Sequence, residues 1–229
     1  MEYRCVQCGF SIKTLYVQYS LGNIRLMKCE KCKYVADEYV ECEIMILLID
    51  LTLHKTKAYR HLLYNMRKKE NFEELFWKLA VGFLLLDAYK SLRLESSKGE
   101  SGSWKSFSSL LSLSTCWKIV MDVFFGNFMF ILTFLSVVRI FPSTSISITR
   151  CKDFLLAILI SSYFKIFLIV MMVWECPSPV IVIIDLFVLS SNLVALKVMT
   201  EPATSQYVVG ACFSAHVAKL FVTQLLQLR

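Results

Sequence analysis

The chain opens with two cysteine pairs, Cys5-Val6-Gln7-Cys8 and Cys29-Glu30-Lys31-Cys32, which twenty residues separate. The two-residue gap within each pair lets one tight turn direct both thiolates at a single ion. Four thiolates form a closed tetrahedral site for Zn²⁺, and the short alternating segments between the pairs indicate strands. Residues 1–42 are therefore predicted to be a zinc ribbon with one structural Zn²⁺, which supplies much of the folding energy. Two disulfides or four unlinked thiols are the alternatives.

The composition differs from that of an ordinary soluble domain. Hydrophobic residues make up 56% of the 229 residues, and the mean hydropathy is +0.57. The net charge of +7 gives the protein a mild attraction to anionic lipid headgroups. It is weak evidence for nucleic-acid binding, and we expect no nucleic-acid partner. Nine cysteines, with no hydrophobic signal region in residues 1–10, predict reduced thiols and a ribbon that faces the cytosol.

An apolar run at 44–53 is joined to a basic run at 54–69. The apolar run is too short to cross a bilayer, so 43–71 is predicted to be an amphipathic helix lying in the headgroup plane. On one continuous helix, several polar side chains share a face. This face is either a contact site for lipid or a partner, or the solvated side of the helix. Its residues are Asp50, His54, Lys57 and His61, with Arg60 beside them.

The second half of the chain is predicted to be an all-α membrane domain over 118–229. Four apolar segments there have about the twenty residues that a bilayer span needs. They lie at 119–138, 154–174, 180–197 and 207–226. Before them, 72–95 is interpreted as an interfacial, re-entrant or short spanning segment, and the Ser-rich 96–117 as a loop. The fold class is thus a small β zinc ribbon followed by a multi-span helical domain.

Lys165 and His216 lie near the middle of their predicted spans, and Asp185 lies inside the span between them. Such groups are costly in a bilayer and usually face protein or water. One interpretation is a polar cavity that admits a lipid headgroup or a sterol hydroxyl. A second is a buried ion pair of Lys165 with Asp185 across a hairpin that turns at 175–179. A third is a partner subunit that supplies the opposite charge.

The sequence contains no motif of a known catalytic centre. A Gly-rich phosphate loop, a Gly-x-Ser-x-Gly elbow and a His-Glu-x-x-His motif are all absent. The predicted metal uses all four knuckle cysteines, which leaves no open position for a substrate. We therefore expect a protein that is not an enzyme.

The ribbon and the segment after it together resemble the Arv homology domain of the Arv family. The resemblance covers about residues 3–66 and rests on Tyr3-Arg4-Cys5-Val6-Gln7-Cys8-Gly9 and on the stretches 15–20, 23–32, 41–51 and 54–65. It implies an endoplasmic-reticulum membrane protein of sterol homeostasis, with a role in intracellular sterol trafficking and distribution and an influence on sphingolipid metabolism. It also implies a link to early glycosylphosphatidylinositol-anchor synthesis.

Two function classes remain open at this point. In the first, the protein handles membrane lipid, with sterol, sphingolipid or glycolipid as its contacts. In the second, it is a non-catalytic zinc-ribbon scaffold or accessory subunit for a membrane glycosyltransferase of glycosylphosphatidylinositol-anchor synthesis. The basic helix favours the first class, and the closed metal site favours the second, because small closed zinc domains usually bind partners.

Overall fold

A computed structural model describes residues 3–20, 23–66, 72–98, 113–140, 148–174, 177, 179–200 and 202–227. The chain divides into two compact units, Met1–Leu75 and Phe76–Arg229. The predicted fold class is confirmed, because short strands with a four-cysteine cluster come first and a helical region with four candidate membrane spans follows. Most of the predicted Ser-rich loop, and residues 175, 176 and 178 of the predicted hairpin turn, lie outside the described residues.

The first unit begins with two small antiparallel strand pairs. Strand β1 (Tyr3–Arg4) pairs with β2 (Ser11–Ile12), and β3 (Tyr16–Ser20) pairs with β4 (Asn23–Leu26). Two-stranded ribbons of this length are marginal on their own in water. Their persistence here requires additional contacts, which the cysteine knuckles and the segment after the ribbon provide.

The predicted helix over 43–71 is divided into shorter segments. A 3₁₀ turn (Glu38–Val40) precedes α1 (Ile44–Thr52), which α2 (Thr56–Arg60) and a π-helical turn (His61–Met66) follow. The break follows from a Schellman closure at the end of α1. There the Lys55 N–H donates to the Asp50 carbonyl at 3.0 Å, and His54 takes the left-handed φ of 56°.

The second unit is helical throughout its described part. Its elements are α3 (Phe72–Lys98, which begins in the first unit), α4 (Leu113–Ile140), α5 (Ile148–Ser161), a 3₁₀ turn (Ser162–Ile166), α6 (Phe167–Val173), α7 (Pro179–Met199) and α8 (Pro202–Gln227). Among the described residues, four segments are long and apolar enough to cross a membrane: Trp117–Arg139, Cys151–Met171, Pro179–Met199 and Ser205–Leu225. The protein is therefore a multi-pass membrane protein. The interpretation of 72–95 as interfacial, re-entrant or spanning stays a prediction.

Small side chains allow close helix packing in this unit. Ala211 and Ala215, one turn apart on α8, are fully buried in a cluster with Phe134 of α4 and Leu196 of α7. Lipid tails are as apolar as these side chains, so van der Waals contact and hydrogen bonds hold such helices together.

Asn192 of α7 joins three helices through hydrogen bonds. Its Oδ1 accepts from the Ser161 hydroxyl at 2.6 Å, and its Nδ2 lies 3.1 Å from Nε2 of His216. His216 also packs edge-on against Phe130, with the ring centroids 4.9 Å apart. His216 thus lies in packed protein and has a partner within the chain.

Replacing Asn192 with Ala should destabilise the second unit by about 1–2 kcal/mol, because the Ser161 hydroxyl and the His216 ring lose their buried partner. Thermal unfolding of the purified chain in mild detergent measures the loss. The matched control is Ser190→Ala, which removes a hydroxyl that donates to the Phe187 carbonyl on the same helix at 3.0 Å. An equal loss of stability in both variants would contradict a special role for Asn192.

Candidate functional site

The two cysteine knuckles have the same backbone geometry. The Gly9 N–H donates to the Cys5 carbonyl, and the Lys33 N–H donates to the Cys29 carbonyl, both at 2.9 Å. Each turn passes through the left-handed region, at φ 76° for Gly9 and φ 65° for Lys33. Glycine takes this conformation without penalty, whereas Lys33 holds it at a cost of about 1–3 kcal/mol. Contacts with surrounding residues must therefore offset the cost of the Lys33 conformation in the second knuckle.

The four cysteine sulfurs converge on one point. All four Sγ atoms lie within 4.8 Å of one another, with Cys5 3.7 Å from Cys32 and Cys8 3.6 Å from Cys29. A tetrahedral metal with bonds of about 2.3 Å to sulfur gives sulfur–sulfur edges of about 3.8 Å, whereas a disulfide is about 2.05 Å long. The geometry fits a candidate four-thiolate metal site and not a pair of disulfides.

Without a bound cation, these thiols differ in how readily they ionise. Burial raises the pKa of Cys5. Burial also opposes ionisation of Cys29, but hydrogen bonds from the backbone N–H groups of Cys32 and Lys31 outweigh it and lower the Cys29 pKa. Four thiolates at these distances repel one another, so a bound cation is what allows all four to ionise.

Cys42 stands apart from the cluster. Its thiol is exposed and donates to the Glu38 carbonyl at 3.2 Å. Cys42 is therefore not part of the four-sulfur cluster.

Arg60 of α2 donates hydrogen bonds to the first cysteine knuckle. Its Nη1 donates to the carbonyls of Val6 and Gln7, both at 2.8 Å. These carbonyls belong to the two residues between Cys5 and Cys8. Arg60 was a candidate for lipid or partner contact, and the structure places its guanidinium against the first cysteine knuckle.

Asp37 is the centre of a buried network that sequence reasoning missed. Its Oδ2 accepts from His61 Nδ1 and from Asn65 Nδ2, both at 2.6 Å. Asn65 also exchanges two hydrogen bonds with the backbone of Arg4, at 2.9 and 3.0 Å, as a strand partner would. Asp37 is fully buried, and His61 and Asn65 are nearly so. No spacing or motif in the sequence marks Asp37 and Asn65, because only the fold brings them together.

The other polar candidates of this segment also have partners within the chain. Asp50 accepts from Lys55 Nζ at 2.6 Å and from the Tyr39 hydroxyl at 2.7 Å, and these two bonds lower the pKa of Asp50. Lys57 pairs with Glu38 at 3.3 Å, and the His54 ring stacks on Tyr59. The break at His54 means that these residues do not share one continuous helical face. Their contact with lipid or a partner stays a prediction.

The predicted ion pair between Lys165 and Asp185 is wrong. Lys165 Nζ instead lies 2.9 Å from Asp87 Oδ1, and Asp185 pairs with Lys90. Both partners belong to α3, which covers the segment interpreted as interfacial, re-entrant or short spanning. The acid Asp87 and the base Lys90 lie one turn apart on α3. Lys165 and Asp185 therefore each have a closer partner of opposite charge on α3 than they have in each other.

Replacing Arg60 with Met should lower the thermal unfolding midpoint of the first unit, because two knuckle carbonyls lose their charged hydrogen-bond donor. Each lost hydrogen bond costs at most about 1.5–3 kcal/mol. Lys57→Met is the matched control, since its exposed pair with Glu38 is worth about 0–1 kcal/mol. The rate of alkylation of the buried Cys5 and Cys29 thiols provides a second readout. Indistinguishable behaviour of the two variants would show that Arg60 does not support the knuckle.

Comparison with known proteins agrees with this architecture. The family model described as Arv1-like matches residues 4–196. The Arabidopsis thaliana protein ARV 2 is 50% identical over 223 residues, which cover 96% of this chain and 93% of that protein. ARV 1 of the same plant is 46% identical over 228 residues, covering 99% of this chain and 89% of that protein.

The similarity extends to animals. The Homo sapiens protein ARV1 is 31% identical over 206 residues, which cover 86% of this chain and 72% of that protein. No solved structure matches the chain. Because the family model covers most of the chain and the plant proteins match over nearly their whole length, the chain belongs to the Arv1-like family.

Proposed function

We propose that the protein is a non-catalytic endoplasmic-reticulum membrane protein of sterol homeostasis, which takes part in intracellular sterol trafficking and distribution and influences sphingolipid metabolism. Membership of the Arv1-like family is the observation that carries the proposal. The four candidate spans and an apolar surface on the first unit support it. A ribbon that faces the cytosol, where thiols stay reduced, belongs to the same proposal.

The apolar surface lies on α1 and at its end. Leu47 and Leu51 are buried and attach the helix to the unit, while six other apolar side chains are between 43% and 67% exposed. They are Ile44, Met45, Ile46, Leu48, Ile49 and Leu53. Soluble surfaces rarely expose so many large apolar side chains together. We propose that this apolar face of α1 enters the bilayer interface and contacts membrane lipid, sterol included.

The basic residues near this face contribute less to the attraction for anionic lipid than their number suggests. Lys55 and Lys57 pair with Asp50 and Glu38, and the Arg60 guanidinium binds knuckle carbonyls. Exposed ion pairs are weak, so these lysines retain part of their attraction for anionic lipid. Membrane contact is therefore driven mainly by apolar burial, at about 1.5–3 kcal/mol for each large side chain that is fully inserted.

Replacing Met45 and Ile49 with Gln should slow sterol transfer from proteoliposomes that contain the full chain to acceptor liposomes by about tenfold, since both side chains belong to the apolar face. Radiolabelled sterol in the acceptor measures the rate. Tyr19→Gln with Tyr34→Gln is the matched control, because these exposed residues lie on the ribbon instead.

The sterol proposal fails if the wild-type protein transfers sterol no faster than protein-free liposomes do. If such inactive protein also co-purifies stably with a membrane glycosyltransferase in mild detergent, the result favours the scaffold function.

The scaffold function is the second candidate. In it, the ribbon docks on a membrane glycosyltransferase of glycosylphosphatidylinositol-anchor synthesis. The observation in its favour is the apolar face of the β3–β4 hairpin, where Val17, Tyr19 and Met27 are 40%, 66% and 38% exposed. A four-thiolate site offers no position for a substrate, so a surface of this kind is suited to binding a partner.

We propose that the four-cysteine cluster holds one structural Zn²⁺. All four donors are sulfur, and their separations of 3.6 and 3.7 Å across the two knuckles fit tetrahedral thiolate coordination. When bound, the ion offsets the thiolate charge and links the two knuckles.

Replacing Cys29 with Ser should release the zinc, because a buried ligand is lost, whereas Cys42→Ser should retain one zinc per chain. Elemental analysis of the reduced, purified full chain gives the zinc content. Reduced wild-type protein without zinc, or equal loss of zinc in the two variants, would rule the assignment out.

A further inference from the structure

Five ionisable residues of the second unit form one cluster, which we name the charge layer: Asp87 and Lys90 on α3, Lys165 between α5 and α6, Asp185 on α7 and Lys219 on α8. Lys165, Asp185 and Lys219 each lie six residues from an end of their candidate spans. At 1.5 Å per residue, the charge layer lies about 9 Å inside one end of the helices.

Two lysines of the charge layer share one carboxylate. Lys165 Nζ lies 2.9 Å from Oδ1 of Asp87, and Lys219 Nζ lies 2.9 Å from Oδ2. Asn127 completes the arrangement, since its Oδ1 accepts from Lys219 at 3.0 Å and its Nδ2 donates to Asp87 at 3.2 Å. Lys90 and Asp185 form a second ion pair within the charge layer.

The charge layer has an excess positive charge. Counted over its five residues alone, three ammonium groups meet two carboxylates. An unbalanced charge at this depth costs several kcal/mol, so the arrangement favours an anion that offsets it. Each ammonium group also has three N–H donors, and Lys219 uses two of them, on Asp87 and Asn127.

The lysines are held in place but can be reached from outside the helices. The side chains of Lys165 and Lys219 are 15% and 23% exposed. Gly126 of α4 allows the close approach of α8, because a Cβ at Gly126 would lie only 3.2 Å from the Oγ1 of Thr223, one turn beyond Lys219. The exposed part of each lysine side chain is where an oxyanion would approach.

We propose that Lys165 and Lys219 bind a phosphate group at the charge layer. Phosphate oxygens accept charged hydrogen bonds well, and in a membrane the phosphate group of a lipid headgroup is the oxyanion present at highest concentration. This site is distinct from the proposed contact with sterol, because a sterol carries no charge and the apolar face of α1 contains no basic side chain.

Thermal unfolding of the full chain in uncharged detergent tests the proposal, with dioleoyl phosphatidic acid, dioleoylglycerol or inorganic phosphate added. A ligand that binds only the folded state raises the unfolding midpoint. Phosphatidic acid should raise the wild-type midpoint by at least about 2 °C, and uncharged dioleoylglycerol should not. An equal shift with inorganic phosphate would identify a free anion as the source, whereas no shift with it would identify the lipid.

Three variants make the test specific. Lys219→Gln should abolish the shift, and Lys219→Arg should retain it because the charge remains. Lys197→Gln is the matched control, since it removes an equal charge from an exposed site at the opposite end of α7, and it should also retain the shift. If Lys219→Gln fails to fold, Lys165→Gln replaces it with the same expectation.

The proposal fails if phosphatidic acid leaves the wild-type midpoint unchanged. It also fails if the shift is the same in the wild type and in a folded Lys219→Gln or Lys165→Gln variant.

Discussion

The convergence of four cysteine sulfurs is the constraint on which the first unit depends. Its strands have only two to five residues, and strand pairs of that size have little stability of their own. A cation that joins Cys5 and Cys8 to Cys29 and Cys32 closes two turns at once. The closed first knuckle then presents the carbonyls that Arg60 binds. The segment after the ribbon is therefore part of the same folded unit, and a metal bound by the four cysteines would stabilise residues far from it in sequence.

A different constraint organises the second unit. In a bilayer, each buried polar side chain needs a partner within the protein. Asn192 provides one for His216, and Asp87 provides one for both Lys165 and Lys219. Because Asp87 lies on α3, that helix contributes to the polar interior whether or not it crosses the membrane. The two lysines that share Asp87 leave a positive charge, which gives this unit a chemistry that sterol handling does not require.

The features that the sequence predicted correctly are those set by local rules. Two residues between cysteines direct both thiols of a pair at one point, and bilayer thickness sets the length of an apolar span. Features that depend on tertiary contacts were missed or wrong. The break at His54 lacks the usual glycine, so no residue signalled it. The Asp37 network and the partners of Lys165 join residues 24 to 78 positions apart, which no periodicity marks.

Hydrogen–deuterium exchange of the reduced full chain in mild detergent, with and without a zinc chelator, tests most directly whether the metal holds the ribbon and the following segment as one unit. Chelation should remove the protection of Tyr3–Arg4, Ser11–Ile12 and Thr56–Arg60 together, while Pro179–Met199 stays protected. Loss of protection in the strands alone, with Thr56–Arg60 unchanged, would contradict the account.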